Sequence, residues 1–230
     1  MKKQQDFING EVLVIDKPLG WTSFDVVKKI RYHLKHKLQV KKIKIGHAGT
    51  LDPLATGILV LCTGKKTKVI EGFMNEKKTY DGIIQLGATT PSFDLETEID
   101  ATFPVEINKD KVAIVAQQFL GEQLQEPPIF SAKRVKGKRA YEYARKGEKV
   151  ELKKNKVIID SITLELLEDN CLSFQVDCSK GTYIRSLARD IAKKLNTGGH
   201  LIKLRRTRSG NFALEQAISM EDCLKMIDTL

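Results

Sequence analysis

Hydrophobic residues recur along the chain at two spacings, one typical of β-strands and one typical of α-helices. Alternation, or a short apolar run between turn residues, predicts strands at residues 11–15, 58–61, 78–86, 157–166, 172–178 and 201–208. Helical spacing predicts helices at residues 24–34, 64–74, 108–119, 139–146, 183–195 and 219–227. Helices are interspersed among strands without βαβ repeats, which predicts an α+β protein with a mixed, mostly antiparallel sheet.

Local signals refine these elements. Thr22 or Ser23 can cap the helix predicted at residues 24–34, and Thr182 can cap the helix predicted at residues 183–195. Residues 1–9 are polar and residues 88–104 are acidic and rich in turn formers, so we expect loops in both places.

The distribution of charge favours a nucleic-acid partner. The 230 residues suffice for one large domain or one domain with an insertion, and the formal net charge is +10. Residues 26–45 contain eight Lys/Arg and no acid, and residues 129–156 contain eleven Lys/Arg against three Glu. A third cluster is Lys203, Arg205, Arg206 and Arg208. Three separated basic blocks favour a long phosphate backbone over one small anion.

Several other classes of protein are disfavoured. The four cysteines lack CxxC spacing, so reduced thiols are expected rather than disulfides or zinc ligands. His33 and His36 share a helix face but have no third ligand nearby, and we expect no metal site. No stretch matches a phosphate-binding glycine loop or a GxSxG elbow. Without a signal peptide or a membrane-length apolar run, the chain is expected in the cytoplasm.

Residues 46–57 are the stretch best suited to hold a reactive side chain. They read Gly-His-Ala-Gly-Thr-Leu-Asp-Pro-Leu-Ala-Thr-Gly and lead into the predicted strand at residues 58–61. Glycine permits unusual backbone conformations, and Pro53 restricts both itself and Asp52. Spacing alone favours an Asx-type turn. The alternative is a catalytic carboxylate, which needs a cation to stay ionised in a pocket, and Lys17 or Arg185 could supply it.

This loop resembles the catalytic motif of the TruB-type tRNA pseudouridine-55 synthases. Further segments match the family in the same order: Asp16-Lys17-Pro18 with Gly20 and Thr22-Ser23, Lys78-Thr79-Tyr80, Tyr141-Glu142-Tyr143-Ala144-Arg145, Cys178-Ser179-Lys180-Gly181-Thr182-Tyr183-Ile184-Arg185, and Leu204-Arg205-Arg206. The resemblance extends over residues 11–212 and is far more specific than an isolated GTLDP. It implies a pseudouridine-synthase fold, with helices and loops flanking the sheet and a basic insertion at about residues 125–154.

The resemblance implies isomerisation of uridine to pseudouridine at position 55 in the T-loop of tRNA. The glycosidic bond is cut, the uracil rotates, and C5 is joined to the ribose, so no cofactor is expected. By the same resemblance Asp52 is the catalytic carboxylate, Arg185 is its salt-bridge partner, and Tyr80 stacks on the flipped uracil. Whether Asp52 attacks the ribose, attacks the uracil or removes a proton stays open.

Four residues match family positions at the target nucleotide: His47, Tyr183, Leu204 and Lys17. The resemblance implies that His47 helps hold the nucleotide out of the stack and that Tyr183 and Leu204 contact the uracil. From the residues alone, a loop histidine bonded to backbone is an equally good interpretation of His47. From the residues alone, Tyr80, Tyr183 and Leu204 would be interpreted as core residues. We expect Lys17 to support the motif loop rather than react.

The basic insertion is implied to fold over the T-arm stem-loop of tRNA. Five of its residues would meet phosphates: Lys133, Arg134, Lys136, Lys138 and Arg139. Tyr141 and Tyr143 would anchor the segment. A solvated, mobile loop is the alternative interpretation of this charge run.

We expect a single catalytic domain over residues 1–230, acting as a monomer, without the C-terminal PUA-type RNA-binding domain usual in bacterial members. That departure implies a weaker grip on the acceptor side of tRNA. Two other functions are a tRNA-binding or tRNA-folding protein whose catalysis is dispensable, and a nucleoside hydrolase. The pairing of Asp52 with Arg185 favours the enzyme over a pure binder, and the basic blocks argue against the hydrolase.

Overall fold

The computed structural model of the chain describes residues 4–131, 133–135, 137–148 and 150–230. Its helices are α1 Gln4–Asn9, α2 Ser23–Lys37, α3 Ile70–Asn75, α4 Lys109–Gln118, α5 Ala140–Ala144, α6 Ile184–Lys194 and α7 Met220–Asp228, with 3-10 turns at Gly64–Val69 and Leu214–Gln216. Its strands are β1 Val12–Lys17, β2 Ile45–His47, β3 Ala55–Thr63, β4 Lys78–Leu86, β5 Ala88–Thr89, β6 Ala101–Thr102, β7 Gly121–Gln125, β8 Arg134–Val135, β9 Lys138–Arg139, β10 Asn155–Leu166, β11 Cys171–Cys178, β12 Gly199–Ser209 and β13 Phe212–Ala213. The predicted α+β class with mostly antiparallel strands is confirmed.

The chain divides into two compact units. One comprises Met1–Tyr80 with Leu204–Leu230, and the other comprises Asp81–Lys203. Strands β4 and β12 pass from one unit into the other. The single catalytic domain expected over the whole chain stays a prediction, since compact units need not be separate domains.

Strand β3 is the centre of the first unit and is buried along nearly its whole length. β1 pairs antiparallel along one of its edges. Two strands pair along its other edge. β12 runs parallel to the start of β3, and β2 runs antiparallel to its end. Because neighbouring side chains of a strand point to opposite faces, Leu59 and Leu61 join one apolar cluster with α2 and α7, while Ile58 and Val60 join another.

The second unit contains the antiparallel strands β11, β10 and β7 in adjacent positions, with β4 beside β11. Helix α4 packs against β10 and against α6. The two-residue strands β8 and β9 form a small separate hairpin.

Helix starts follow the capping rules in part. Thr22 caps α2 in a capping box, because its hydroxyl accepts the N–H of Asp25 and its own N–H donates to the Asp25 carboxylate. The cap predicted for α6 is wrong: Tyr183 occupies the N-cap position, and the Thr182 hydroxyl donates to the Ser179 carbonyl at 2.9 Å.

Several elements differ from the sequence-based expectation. The two-residue strands β5 and β6, for example, pair within residues 88–104, where a loop was expected. Residues 4–9 form α1 because Phe7 is fully buried in the core of the first unit, and residues 1–3 lie outside the described part. β7 was not predicted, since its Gly-Glu-Gln-Leu-Gln sequence has little apolar alternation; its pairing with β10 supplies the backbone hydrogen bonds. Among the described residues, no helix has the length and hydrophobicity to cross a membrane.

Candidate active site

Asp52 lies in the connection between β2 and β3. The strands pair up to His47, which lies opposite Leu61, and the N–H of Ala48 then donates to the carbonyl of Val60 at 2.8 Å. At the far end the N–H of Ala55 donates to the Asp52 carbonyl at 3.1 Å. Asp52 is half-buried. Asp52 therefore begins a backbone β-turn, with both ends of the connection fixed by strands. The Asx-type turn, which requires a bond to the Asp52 side chain, stays a prediction.

Two buried side chains hold this turn from the preceding segment. The hydroxyl of Ser23 accepts the N–H of Leu51 at 2.8 Å and donates to the Leu51 carbonyl at 3.1 Å. Lys17 is fully buried at the end of β1. Its Nζ donates to the carbonyls of Trp21 (2.6 Å), Pro18 (2.9 Å) and Pro53 (3.3 Å). Since an ammonium has three donors, these contacts occupy them all, which suits a residue that supports the loop.

A third buried side chain, Arg206, reaches the loop from β12. Its Nη2 donates to the Gly49 carbonyl at 3.1 Å and its Nε to the Ile58 carbonyl at 2.7 Å. Gly57 packs on the backbone of Arg206 with φ +98°, and a Cβ there would collide with the Arg206 carbonyl oxygen. Glycine is therefore required at the point where the loop meets β12.

Positive charge is concentrated beside Asp52. Burial lowers the pKa of Lys17 to about 8, with the charge of Arg206 acting in the same direction and the Asp52 carboxylate opposing both. Lys17 remains mostly protonated at pH 7 and interacts electrostatically with Asp52. A half-buried carboxylate next to a buried ammonium can act as a nucleophile or as a base.

His47 presents a neutral imidazole to this site. Burial, followed by the charge of Arg206, lowers the pKa of His47, and the backbone of Gly49 offsets this only in part. Its Nδ1 is shielded from solvent and has no hydrogen-bond partner among the described residues. A histidine fully satisfied by backbone is therefore not what the structure shows.

Tyr80 and Leu204 lie in the same unit as Asp52, and both are buried. Leu204 pairs with Ala55, three residues after Asp52. Tyr80 follows Lys78, whose Nζ donates to carbonyls at the end of α3, those of Phe73, Met74 and Glu76. Lys78 thereby fixes the start of β4, two residues before Tyr80.

Arg185 belongs to the second unit, where it is buried at the start of α6. Its Nε lies 3.5 Å from Oδ2 of Asp94, and its Nη1 and Nη2 donate to the carbonyls of Ser92 (3.1 Å) and Phe130 (2.9 Å). Sequence reasoning missed Asp94. The ion pair between Arg185 and Asp52 stays a prediction, since the two residues belong to different units.

Tyr183 is positioned by a residue that the sequence did not reveal. The buried side chain of Gln125, at the end of β7, accepts the N–H of Tyr183 at 2.7 Å and donates to its carbonyl at 3.0 Å. These bonds fix the first turn of α6, two residues before Arg185. Because β7 was not predicted, nothing in the sequence marked Gln125 as a residue that positions Tyr183. It is a polar residue two positions before Pro127-Pro128.

The predicted phosphate-contacting residues are not equivalent. Arg134 and Lys138 are exposed on the β8–β9 hairpin, and Arg139 is half-buried. Lys133 is held at the base, where its Nζ donates to the Lys153 carbonyl and to Oδ1 of Asn155, and burial lowers its pKa. Lys136 lies outside the described residues.

The two tyrosines of the insertion also differ. The Tyr143 hydroxyl donates to the Val135 carbonyl at 3.2 Å and ties α5 to the hairpin, as an anchor would. Tyr141 is exposed, with the guanidinium of Arg145 5.4 Å from the centre of its ring.

The third basic cluster, at residues 203–208, is not available to phosphate as a whole. Arg206 is only 1% exposed and cannot meet a phosphate backbone without unfolding the site. Arg205 pairs with Asp16, with 2.7 Å between its Nη2 and Oδ2. Strand alternation was the signal that could have revealed this, because it places Arg206 on the same inward face as Leu204.

Comparison with known proteins identifies the fold and then the family. The chain resembles the crystal structure of a Cbf5-Nop10-Gar1 complex with a TM-score of 0.73 and 29% identity, covering 97% of this chain and 56% of that one. It also resembles the structure of an H/ACA RNP bound to a substrate RNA containing 2'-deoxyuridine, with a TM-score of 0.67 and 29% identity over 95% of this chain and 53% of that one. This chain thus spans about half the length of either solved chain.

Two family models match in succession. Residues 35–184 match the TruB family pseudouridylate synthase N-terminal domain, and residues 185–229 match the tRNA pseudouridylate synthase B C-terminal domain. Both models describe pseudouridylate synthases. The chain belongs to the TruB family, and the predicted pseudouridine-synthase fold is confirmed. A curated relative, the tRNA pseudouridine synthase B of Phocaeicola vulgatus, is 59% identical over 97% of this chain and 95% of its own length.

Proposed function

We propose that this protein converts uridine to pseudouridine at position 55 in the T-loop of tRNA, with Asp52 as the catalytic carboxylate. The observation that carries the proposal is the support of the Asp52 turn by three buried side chains, Ser23, Lys17 and Arg206. A simple surface turn does not need two buried cations. Family membership and a near full-length relative named for this activity support the choice of reaction.

The residues around Asp52 suit an isomerisation whose leaving group is retained. Asp52 acts on the nucleotide while the C1′–N1 bond breaks, and the uracil stays in the site until C5 replaces N1. Tyr80 stacks on the uracil, and Leu204 and Tyr183 limit its movement as it rotates. Arg185 is proposed to keep Asp52 ionised. When the bond from C1′ to C5 forms, C5 loses its proton, and N1 gains a proton after the C1′–N1 bond breaks. The product is therefore an isomer of the substrate, no electron is transferred, and the balance requires neither a cofactor nor a metal.

The RNA must also be held while one base leaves its stack, which costs a few kcal/mol. His47, with its shielded and unbonded Nδ1, is proposed to occupy the space that the target base vacates. Arg134, Lys138 and Arg139, with Lys136 and Lys133, are proposed to bind phosphates of the T-arm stem-loop. We further propose that the protein acts as a monomer in the cytoplasm.

The test compares wild type with Asp52→Asn on unmodified tRNA, with pseudouridine mapped at every uridine. Wild type should convert position 55, and Asp52→Asn should lower the rate by at least about 1,000-fold, as expected when a nucleophile is removed. Glu71→Gln makes the same change of charge at an exposed acid and should leave the rate unchanged.

Three results would overturn the proposal. Wild type could leave position 55 as uridine, in which case the chain acts elsewhere or only binds tRNA. Asp52→Asn could still convert it, which would remove the catalytic role. Free uracil could appear in place of pseudouridine, which would identify a hydrolase.

A further inference from the structure

A pocket of about 530 Å³, large enough for a nucleobase, opens beside the Asp52 turn. It is lined by Gly20, Trp21, Asp25, Lys28, Lys29 and Tyr32. The N–H of Gly20 donates to the Pro53 carbonyl at 2.9 Å, and the Trp21 carbonyl accepts Nζ of Lys17. The wall of the pocket and the Asp52 turn are therefore joined directly by hydrogen bonds. None of the residues assigned to catalysis above lines this pocket.

Two aromatic rings line the pocket, and both pack against neighbouring side chains. Trp21 packs against the apolar cluster of the first unit. Tyr32 is 59% exposed, yet its ring lies 4.3 Å from that of His36 and 5.7 Å from that of His33, measured between centroids. An exposed ring that is already held by neighbours loses little side-chain entropy when a planar ligand stacks on it.

The rim of the pocket is cationic. Lys28 and Lys29 lie on the same face of α2 as Tyr32, because residues three and four apart are neighbours on a helix. The single acid, Asp25, already accepts the N–H and the hydroxyl of Thr22 through Oδ2. Aromatic walls with a positive rim match a ligand that has a planar base and a phosphate.

We propose that this pocket binds an unpaired nucleotide of the RNA substrate next to the target uridine, with its base against Trp21 and Tyr32 and its phosphate near Lys28 and Lys29. The proposal rests on the proposed function, because it assumes an RNA substrate with an opened loop. A nucleotide fixed here would be tied to the Asp52 turn through Gly20. It would also recover part of the cost of extruding the target base.

Trp21 is the only tryptophan of the chain, so its fluorescence reports on the pocket. We would titrate Asp52→Asn protein, which should bind without reacting, with a T-arm stem-loop RNA. Trp21 fluorescence should be quenched, and Tyr32→Leu should weaken binding by about 5- to 150-fold, the range for loss of a base-stacking aromatic. Tyr32→Phe keeps the ring and should bind like the parent.

Phe24→Leu is the matched control, because Phe24 lies on the same helix, is also 59% exposed and does not line the pocket. An abasic nucleotide is then placed at each loop position in turn, apart from the target. One abasic RNA should lose the quench, and Tyr32→Leu should no longer weaken its binding, since coupled partners are not additive.

Several outcomes would overturn the pocket proposal alone, provided that wild type still forms pseudouridine. These are a quench that no abasic substitution removes, equal weakening of binding in Tyr32→Leu and Phe24→Leu, or an equal quench by a fully paired duplex. A change in Trp21 fluorescence with protein concentration, accompanied by a larger particle size, would assign the pocket to contact between copies of the chain. Failure of wild type to form pseudouridine would instead overturn the proposed function.

Discussion

The Asp52 turn and the basic segment at residues 129–156 differ in the exposure of their lysine and arginine side chains, which are buried around the turn and mostly exposed on the hairpin of the segment. In the turn, the cationic groups of Lys17 and Arg206 are buried and bonded to backbone carbonyls. In the segment, Arg134 and Lys138 are exposed on a hairpin whose strands have only two residues each. Sequence alone records four positive charges, and only the structure separates two that hold a loop from two that are free to meet a ligand.

The difference follows from the cost of burying charge. A buried ammonium or guanidinium is tolerated only when its donors are satisfied, so it binds its carbonyls tightly and rigidifies the backbone that carries them. An exposed cation gains little from local contacts and stays available to phosphate. Rigid cations therefore suit the positioning of a reactive carboxylate, and exposed cations suit recruitment of RNA.

The largest expected effect is that of Arg206→Met. The substitution leaves the carbonyls of Gly49 and Ile58 without their donor inside the core, and we expect a decrease of about 3–5 kcal/mol in the free energy of unfolding. Arg208→Met, at an exposed position of the same strand, should change it by less than about 0.5 kcal/mol. Urea denaturation of both variants measures the difference. Equal decreases would mean that burial does not distinguish the two arginines.

Gly57→Ala should come next, because alanine there meets two penalties. The positive φ costs about 1–2 kcal/mol and the collision with Arg206 about 1–3 kcal/mol more, so we expect a total decrease near 3 kcal/mol in the free energy of unfolding. Gly137→Ala, at the tip of the basic hairpin, also has a positive φ but has open space around its Cβ. It should show only the first penalty, about 1–2 kcal/mol. Thermal or urea unfolding that ranks the two variants in the reverse order would contradict the close packing of β3 on β12.

These residues also show what the sequence could reveal. Alternation predicted β4 with the bounds that the structure has, and the motif placed Asp52 in a turn. The partners of the buried arginines were not predictable, because they are distant in sequence. Arg185 forms an ion pair with Asp94, and Arg206 donates a hydrogen bond to the carbonyl of Gly49. Periodicity reports which face of an element is buried, and it carries no information about what that face meets.

The pH dependence of Lys17 gives the third prediction. Its pKa is about 8 in the folded protein and near 10.5 when unfolded. Well below pH 8 Lys17 is protonated in both the folded and the unfolded protein, and the cost of burying its charge is fully present. Between these values the folded protein releases the proton first, so stability should rise with pH, by up to about 3 kcal/mol.

The measurement is the difference in free energy of unfolding between wild type and Lys17→Met at several pH values. Taking the difference cancels the contributions of groups that titrate in both proteins. Lys68→Met, at an exposed position of the same unit, should follow wild type. A constant difference between wild type and Lys17→Met from pH 7 to pH 10.5 would show that Lys17 is not desolvated as the structure indicates.

The smallest expected effect belongs to the exposed cations of the segment. Arg134→Gln with Lys138→Gln should leave stability unchanged and reduce the slope of log Kd for tRNA against log salt by about 0.7–0.9 for each phosphate that is no longer neutralised. Lys193→Gln with Lys194→Gln removes the same charge from exposed positions at the end of α6 and should lower the slope less. Equal reductions would show that net charge alone attracts the RNA. A slope change confined to the hairpin would mean that its cations sit at defined phosphates, as the buried cations sit at defined carbonyls.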